Sequence, residues 1–226
     1  MRLRLDWSSG AIPIGAVGLS NVRLPVGTKV TASFRRVGDP ADQYSNAPTG
    51  LNVTQRIFQG VRGERSCFLL FDPGLFFVGA EIQIWNDVNG AAAIPAGAPW
   101  WLGDVIVRQM AEIDIEEEWT SEPVDTGGVI TRQLSFSLPA DVQKRYFGDP
   151  AAPTAVDYDA LFSKLDRRQV GLYIPRHRDD AGAFSAYMLH RTAMLGTITK
   201  LPKATHKAGS WFGSAAITVT EAPIPV

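Results

Sequence analysis

Four carboxylates stand at alternate positions in "AEIDIEEEW", Ala111 to Trp119. On a β-strand successive side chains point to opposite faces, so Glu112, Asp114, Glu116 and Glu118 share one face. Ile113, Ile115 and Trp119 share the other, with Glu117 among them. Like charges in one row repel, and three chemistries would give the row a use. Two carboxyls about 5–5.5 Å apart can cleave a glycosidic bond, one as nucleophile and one as acid/base. Residues four apart on a strand have Cα atoms about 13 Å apart, so Glu112 and Glu116 would have to lean together. A hard cation among Glu112, Asp114 and Glu116 would need further ligands from a loop, because side chains two apart on one strand diverge. A row that simply stays negative repels phosphates, or meets a basic surface on another subunit.

The other titratable residues offer less. His177, His190 and His206 are spaced by 13 and 16 residues, without the close His or Cys pairing of a zinc site. No metal and no cofactor is expected. The one cysteine, Cys67, lies in the apolar run "CFLLF" and reads as a small buried hydrophobe. Neither a Gly-x-Ser-x-Gly elbow nor a nucleotide-binding glycine loop occurs. Net charge is −1, which gives no global attraction for nucleic acid or an anionic membrane. Charge is nonetheless sorted along the chain. Gln109 to Thr131 holds seven acids and no base, whereas Arg176 to Lys207 holds six Lys or Arg and two acids. Within the latter, "PRHRDDAGAF" reads as a hairpin loop that could present Arg176 and Arg178 to an acidic neighbour. Trp100 and Trp101, adjacent at the end of a Pro/Gly loop, would point opposite ways on a strand. Either one is core and the other an interface anchor, or both pack in the core.

The elements positioning these residues read as short strands separated by turn chemistry. Leu3, Leu5 and Trp7 alternate with charged residues, as do Val30, Ala32 and Phe34 with polar ones. "CFLLF" predicts a strand buried on both faces. "GAEIQIW" and "VITRQLSFSL" follow, and "VGLYIP", "FSAYMLH", "LGTITKL" and "SAAITVTEA" give four more strands. The helical spacing in "TAVDYDALFSKLDRRQ" predicts one helix, with Thr154 and Asp157 as a capping pair. "ADVQKRYFGD" would add a short helical turn. The stretches 38–50 and 86–99 predict long loops, of the kind that often serve as interaction arms. The fold class expected is mainly β, a sandwich or barrel with one flanking α-helix and long loops. It forms a single domain over residues 1–226, with a possible subdivision near 148–157. The N-terminus lacks the apolar stretch of a signal peptide, and no run approaches the 18 apolar residues of a membrane span.

Two resemblances give these patterns a function. "EIDIE" resembles the signature strand of retaining β-glucanases of the laminarinase and lichenase type, which are jelly rolls. That resemblance implies Glu112 as nucleophile, Asp114 as its tuning neighbour and Glu116 as acid/base, and "GAPWWLGD" is similar to the Trp-containing segment before that strand. After Trp119, however, the chain has only Trp211, and the later Trp- and Asp-rich pattern of those enzymes is missing. "GGVITRQLSFSLPADVQKRYFGD", then "VDYDALFSKL", then a terminal set of strands resembles the tail structural proteins of tailed bacteriophages: tail tube, distal tail and baseplate-ring subunits. This second resemblance implies a non-enzymatic virion protein assembled in the host cytoplasm. It implies a homo-oligomeric ring, hexameric or trimeric, that contacts other tail proteins and lets DNA pass without specific binding. Glu112, Asp114, Glu116 and Glu118 would then face a channel or a neighbouring subunit. A third reading, a carbohydrate- or protein-binding β module, would use Trp100 and Trp101.

Overall fold

The computed structural model describes residues 1–44, 54–60, 63–71, 76–91, 101–108, 119–126, 129–138, 157, 160–162, 170–200, 205–206, 212–213 and 216–222. The protein is mainly β and divides into two units. Unit 1 comprises Met1–Ala111 and Pro175–Thr192; unit 2 comprises Glu112–Ile174 and Ala193–Val226. Of the stretch 148–157, where a subdivision was expected, only Asp157 is among the described residues.

Unit 1 carries β1 (Arg2–Asp6), β2 (Ile12–Pro13), β3 (Ala16–Ser20), β4 (Thr28–Arg35), β5 (Thr54–Arg56), β6 (Phe58–Gln59), β7 (Arg65–Leu70), β8 (Phe76–Phe77), β9 (Gly79–Val88) and β10 (Asp104–Arg108). Two antiparallel four-stranded sheets form, in the orders β1-β9-β4-β5 and β10-β3-β7-β6. The alternation read from the sequence decides which faces meet. Val30, Ala32 and Phe34 of β4 and Ala80, Ile82 and Ile84 of β9 point inward. They share one buried cluster with Val17, Leu19, Cys67 and Leu69 of the other sheet. This is sandwich packing, in which the inner faces of two sheets interdigitate. Phe34 stacks on Phe77 at 4.6 Å between ring centroids and meets Phe71 edge-on at 5.1 Å.

The link between the sheets is Ile57. β5 pairs with β4 in one sheet, and β6, two residues on, pairs with β7 in the other. Between them Ile57 is buried, and its N–H donates to the Thr28 carbonyl at 2.9 Å. β9 runs to Val88, three residues past the "GAEIQIW" of the sequence pattern. It ends at a tight turn in which Asn89 and Gly90 both take positive φ, 51° and 89°, as an Asn-Gly hairpin turn requires.

One expected strand is a helix. "FSAYMLH" forms α1 (Ala186–Thr192). The Ser185 hydroxyl accepts the Met188 N–H at 3.2 Å, the N-cap bond that satisfies an otherwise orphaned amide. Leu189 and His190 are then turned into the protein and buried.

Unit 2 carries β11 (Trp119–Thr126), β12 (Val129–Phe136), β13 (Gly171–Tyr173), β14 (Met194–Lys200), β15 (Thr205–His206), β16 (Phe212–Gly213) and β17 (Ile217–Glu221). Five of them form one antiparallel sheet, ordered β11-β12-β17-β14-β13. Its apolar face gathers Leu134, Phe136, Leu138, Met194, Ile198, Ile217 and Val219 with Phe162, and Trp119 packs against them as its alternation predicts. The predicted helix is described only at 160–162. There the Asp157 carboxylate accepts the Ala160 N–H at 2.9 Å and the Asp157 carbonyl accepts the Leu161 N–H, so Asp157 is the cap. Thr154 and "ADVQKRYFGD" lie outside the described residues.

Candidate functional site

Glu112, Asp114, Glu116, Glu118 and Trp100 lie outside the described residues. The acidic run ends where description resumes, at Trp119. Trp101 is described and stands 61% exposed, so of the two tryptophans it is one that reaches solvent. Its carbonyl accepts the Arg23 N–H at 2.9 Å, and the Arg23 guanidinium carbon lies 6.0 Å from the ring centroid. One cation–π contact therefore steadies an otherwise open aromatic face.

The Arg176 to Gly182 loop is present, and its charges are fastened inside it. Arg176 pairs with the Asp180 carboxylate and donates through Nε to the Arg178 carbonyl at 2.9 Å. Arg178 donates to the Gly182 carbonyl at 3.0 Å. The Asp179 carboxylate accepts the N–H groups of Ala181 and Ala183 at 3.0 and 2.9 Å. Two arginines and two aspartates thus form a stiff, locally balanced turn. It offers geometry more than net positive charge.

Among the described residues, the largest organised set of charges is one that spacing along the chain did not reveal. It covers the outer face of β1-β9-β4-β5. There the side chains that alternate with the core residues stand in cross-strand rows: Arg4 opposite Glu81 opposite Ser33, and Asp6 opposite Gly79 opposite Arg35. Arg4 Nε donates to Glu81 at 2.7 Å, and Arg2 approaches the same carboxylate at 3.9 Å. In the next row Gly79 has no side chain, and Asp6 and Arg35 meet across it at 2.8 Å. A Cβ at Gly79 would fall 2.2 Å from the Asp6 carboxylate and 3.2 Å from the Tyr44 ring, so the gap is what the triad occupies. The Tyr44 hydroxyl donates to the other Asp6 oxygen at 2.6 Å. Its ring has the Arg4 and Arg35 guanidinium carbons at 5.0 and 5.9 Å from its centroid.

The chemistry of this triad is that of a clamp. The Tyr44 and Arg35 hydrogen bonds hold the Asp6 carboxyl below its ordinary pKa. Burial and the bond to Asp6 push the Tyr44 phenol up. Around neutrality Asp6 is a fixed anion and Tyr44 a fixed donor, so no proton is poised for transfer. What the clamp does is hold the end of the Arg36–Tyr44 loop on the sheet. Two smaller pairs extend the same face. Arg56 binds Asp87 at 2.9 Å, and Lys29 lies 4.6 Å from the Trp85 ring centroid while the indole N–H donates to Thr31.

Unit 2 has a counterpart whose carboxylate is buried. Glu221 accepts the Arg132 backbone N–H at 2.9 Å and its guanidinium at 3.3 Å, and that guanidinium also donates to the Ala193 carbonyl at 2.7 Å. Among the described residues no three His, Cys, Asp or Glu side chains are grouped to hold a metal ion, and no helix is long and apolar enough to cross a membrane. Comparison with protein-family models, with curated proteins and with solved structures returns no match.

Proposed function

We propose that the chain is a non-enzymatic structural subunit of a tailed-phage virion. It would self-assemble into a ring or tube, as tail tube, distal tail or baseplate component, around a channel that conducts DNA. The observation that carries this reading is the β11–β12 hairpin. β11 is the outermost strand of its sheet among the described residues, and Thr120 to Pro123 and Asp125 are exposed. The last β12 residue toward the turn that pairs with β17 is Gln133. The hairpin continues past it through Pro123–Arg132, Val124–Thr131, Asp125–Ile130 and Thr126–Val129. An unpaired strand edge is a template for pairing with another chain. Proteins that stay monomeric usually blunt such edges along their length, whereas here Pro123 and the charges of Glu122 and Asp125 lie beyond the Trp119–Ser121 half of β11. Glu122 and Asp125 continue onto this strand the acidity of the preceding segment, which favours basic surfaces and repels DNA phosphate.

The fastened charges of the rest of the surface agree with this reading. Arg176, Arg178, Asp6 and Arg35 are spent on rigid local geometry, which suits a subunit whose contacts must repeat. Copies would join through strand and loop contacts, Trp101 among them. A stable contact of this kind buries on the order of 1,600 Å². Purified protein viewed by negative-stain microscopy and weighed by light scattering tests the proposal. Rings or stacked rings are expected, and substituting Glu122 and Asp125 by Lys should reduce the assembled fraction. A stable monomer that hydrolyses mixed-linkage glucan, and stops on Glu112→Gln, would overturn the proposal.

A further inference from the structure

The sheet switch at Ile57 leaves an opening. β6 pairs with β7 only at Phe58–Ser66 and Gln59–Arg65, because the chain then crosses to the other sheet. Beyond Ser66 the side of β7 that faces away from β3 has no strand partner among the described residues, and the Phe68 N–H points to that side. A backbone donor left unpaired inside a protein is costly, of order 1–3 kcal/mol. The donor here is satisfied by an imidazole: Phe68 N–H donates to His190 Nε2 at 3.2 Å. The other ring nitrogen, Nδ1, lies 2.7 Å from the Ala186 carbonyl oxygen. A carbonyl can only accept and an amide N–H can only donate, so the two partners dictate the ring's state. Nδ1 carries the proton and Nε2 is bare. The imidazole is neutral, buried, and tilted against Phe58 and Phe68 at 5.2 and 5.6 Å.

The segment that brings His190 is closed on itself. The Thr192 hydroxyl accepts the Arg176 N–H at 3.3 Å and lies 2.7 Å from the Arg176 carbonyl oxygen. The two ends of 176–192 are therefore tied together, and the Ser185 N–H adds a bond to the His177 carbonyl within it. Its hold on the strands of unit 1 includes buried Leu189, His190, and Tyr187 edge-on to Phe58 at 6.3 Å.

We propose that residues 176–192 form an acid-released latch, with His190 as the bolt that caps the open edge of β7. Adding a proton at Nε2 places N–H against N–H at 3.2 Å in a buried site. The bolt must then withdraw, baring the Phe68 amide and the Phe58 and Phe68 rings. Burial already lowers the His190 pKa, with the bond to Ala186 opposing in part. The ionisable groups nearby do not relieve the clash. On β7 the Cys67 thiol is turned to the opposite, core face, and Arg65 spends its guanidinium on the Leu24 carbonyl at 2.8 Å. On α1 the neighbours are Tyr187 and Arg191, a phenol and a cation, neither of which can compensate a buried imidazolium. The Glu64 carboxylate, in the turn before β7, lies against Gly60.

The sign follows from linkage. The released His190 regains an ordinary pKa near 6.5 and binds protons that the latched one refuses. Latching is complete above 6.5, and the opening constant rises by up to about tenfold per pH unit below it, until the latched imidazole itself titrates.

Hydrogen exchange of the full chain, corrected for the intrinsic pH dependence of exchange, tests this directly. Protection at Phe68 and across 186–192 should fall by up to about fivefold from pH 6.5 to 5.5, while the β1–β9 pairing keeps its protection. The fall should vanish in His190→Gln and persist in a His177→Asn control. An imidazole 15N titration of the unmodified protein gives an independent reading should His190→Gln fail to fold. A His190 pKa at or above 6.5 would sink the proposal, as would protection lost equally from both sheets or unchanged with pH.

Discussion

The two units place their ions on opposite sides of their sheets. In unit 1 every inward position of β4 and β9 from Val30 to Phe34 and from Ala80 to Ile84 that faces the other sheet is apolar, and the ions stand outside in cross-strand rows. In unit 2 the ion pair Arg132–Glu221 sits on the same face as Leu134, Phe136, Ile217 and Val219, at one end of the core. Hydroxyls line the other side of that sheet, with Ser135 meeting Thr218 at 3.3 Å and Thr199 meeting Thr220 at 3.0 Å. The first arrangement draws stability from apolar burial and uses charge for placement. The second makes part of its core depend on an ion pair that is costly to break.

Substitutions can break this contrast. The largest effect is expected from Phe34→Ala in unit 1. It removes a fully buried ring that contacts two others and should cost about 3–5 kcal/mol in urea unfolding. Glu221→Ala should come next, at about 2–4 kcal/mol, because it takes the carboxylate from the Arg132 guanidinium and the acceptor from the Arg132 backbone N–H together. A smaller loss than for an exposed pair would remove the distinction between the units. Gly196→Ala should lose about 1–3 kcal/mol, since a Cβ there would sit 2.6 Å from the Thr220 carbonyl oxygen, which the β14–β17 pairing holds in place.

Asp6→Asn should be the mildest, under about 1 kcal/mol, because the pair is half in solvent. Its pH signature identifies it. The Asp6 pKa is lowered from 3.8, so the carboxylate's contribution is fully present above that value and lost as pH falls through the folded one. The difference between the parent and Asp6→Asn should therefore be flat from pH 5 to 8 and close under acid conditions.

Much of the β framework was legible in the sequence, for a reason seen in β4. Val30, Ala32 and Phe34 alternate with Lys29, Thr31 and Ser33, and a sheet with one buried and one wet face imposes that period. "AVGLS" forms β3, buried on both faces, but its Ala, Gly and Ser break up the apolar run that marks "CFLLF" as a strand of the same kind. "FSAYMLH" misled because Phe184, Ala186 and Met188 alternate as a strand would, and seven residues are too few for a 3.6-residue period to declare itself. Its decisive signal was Ser185 as N-cap. The clamp was invisible for another reason. Asp6, Arg35, Tyr44 and Gly79 are distant in the chain and become neighbours only through strand register.

The crossing at Ile57 also has a mechanical meaning. A strand that belongs to one sheet before that residue and to the other after it is a tension member spanning the sandwich. Pulling on β6 loads the β4–β5 ladder in shear, so the two sheets resist sliding through covalent chain as well as through side-chain packing. Under load such a tie would pass force from one sheet of unit 1 to the other without relying on the apolar contacts between them.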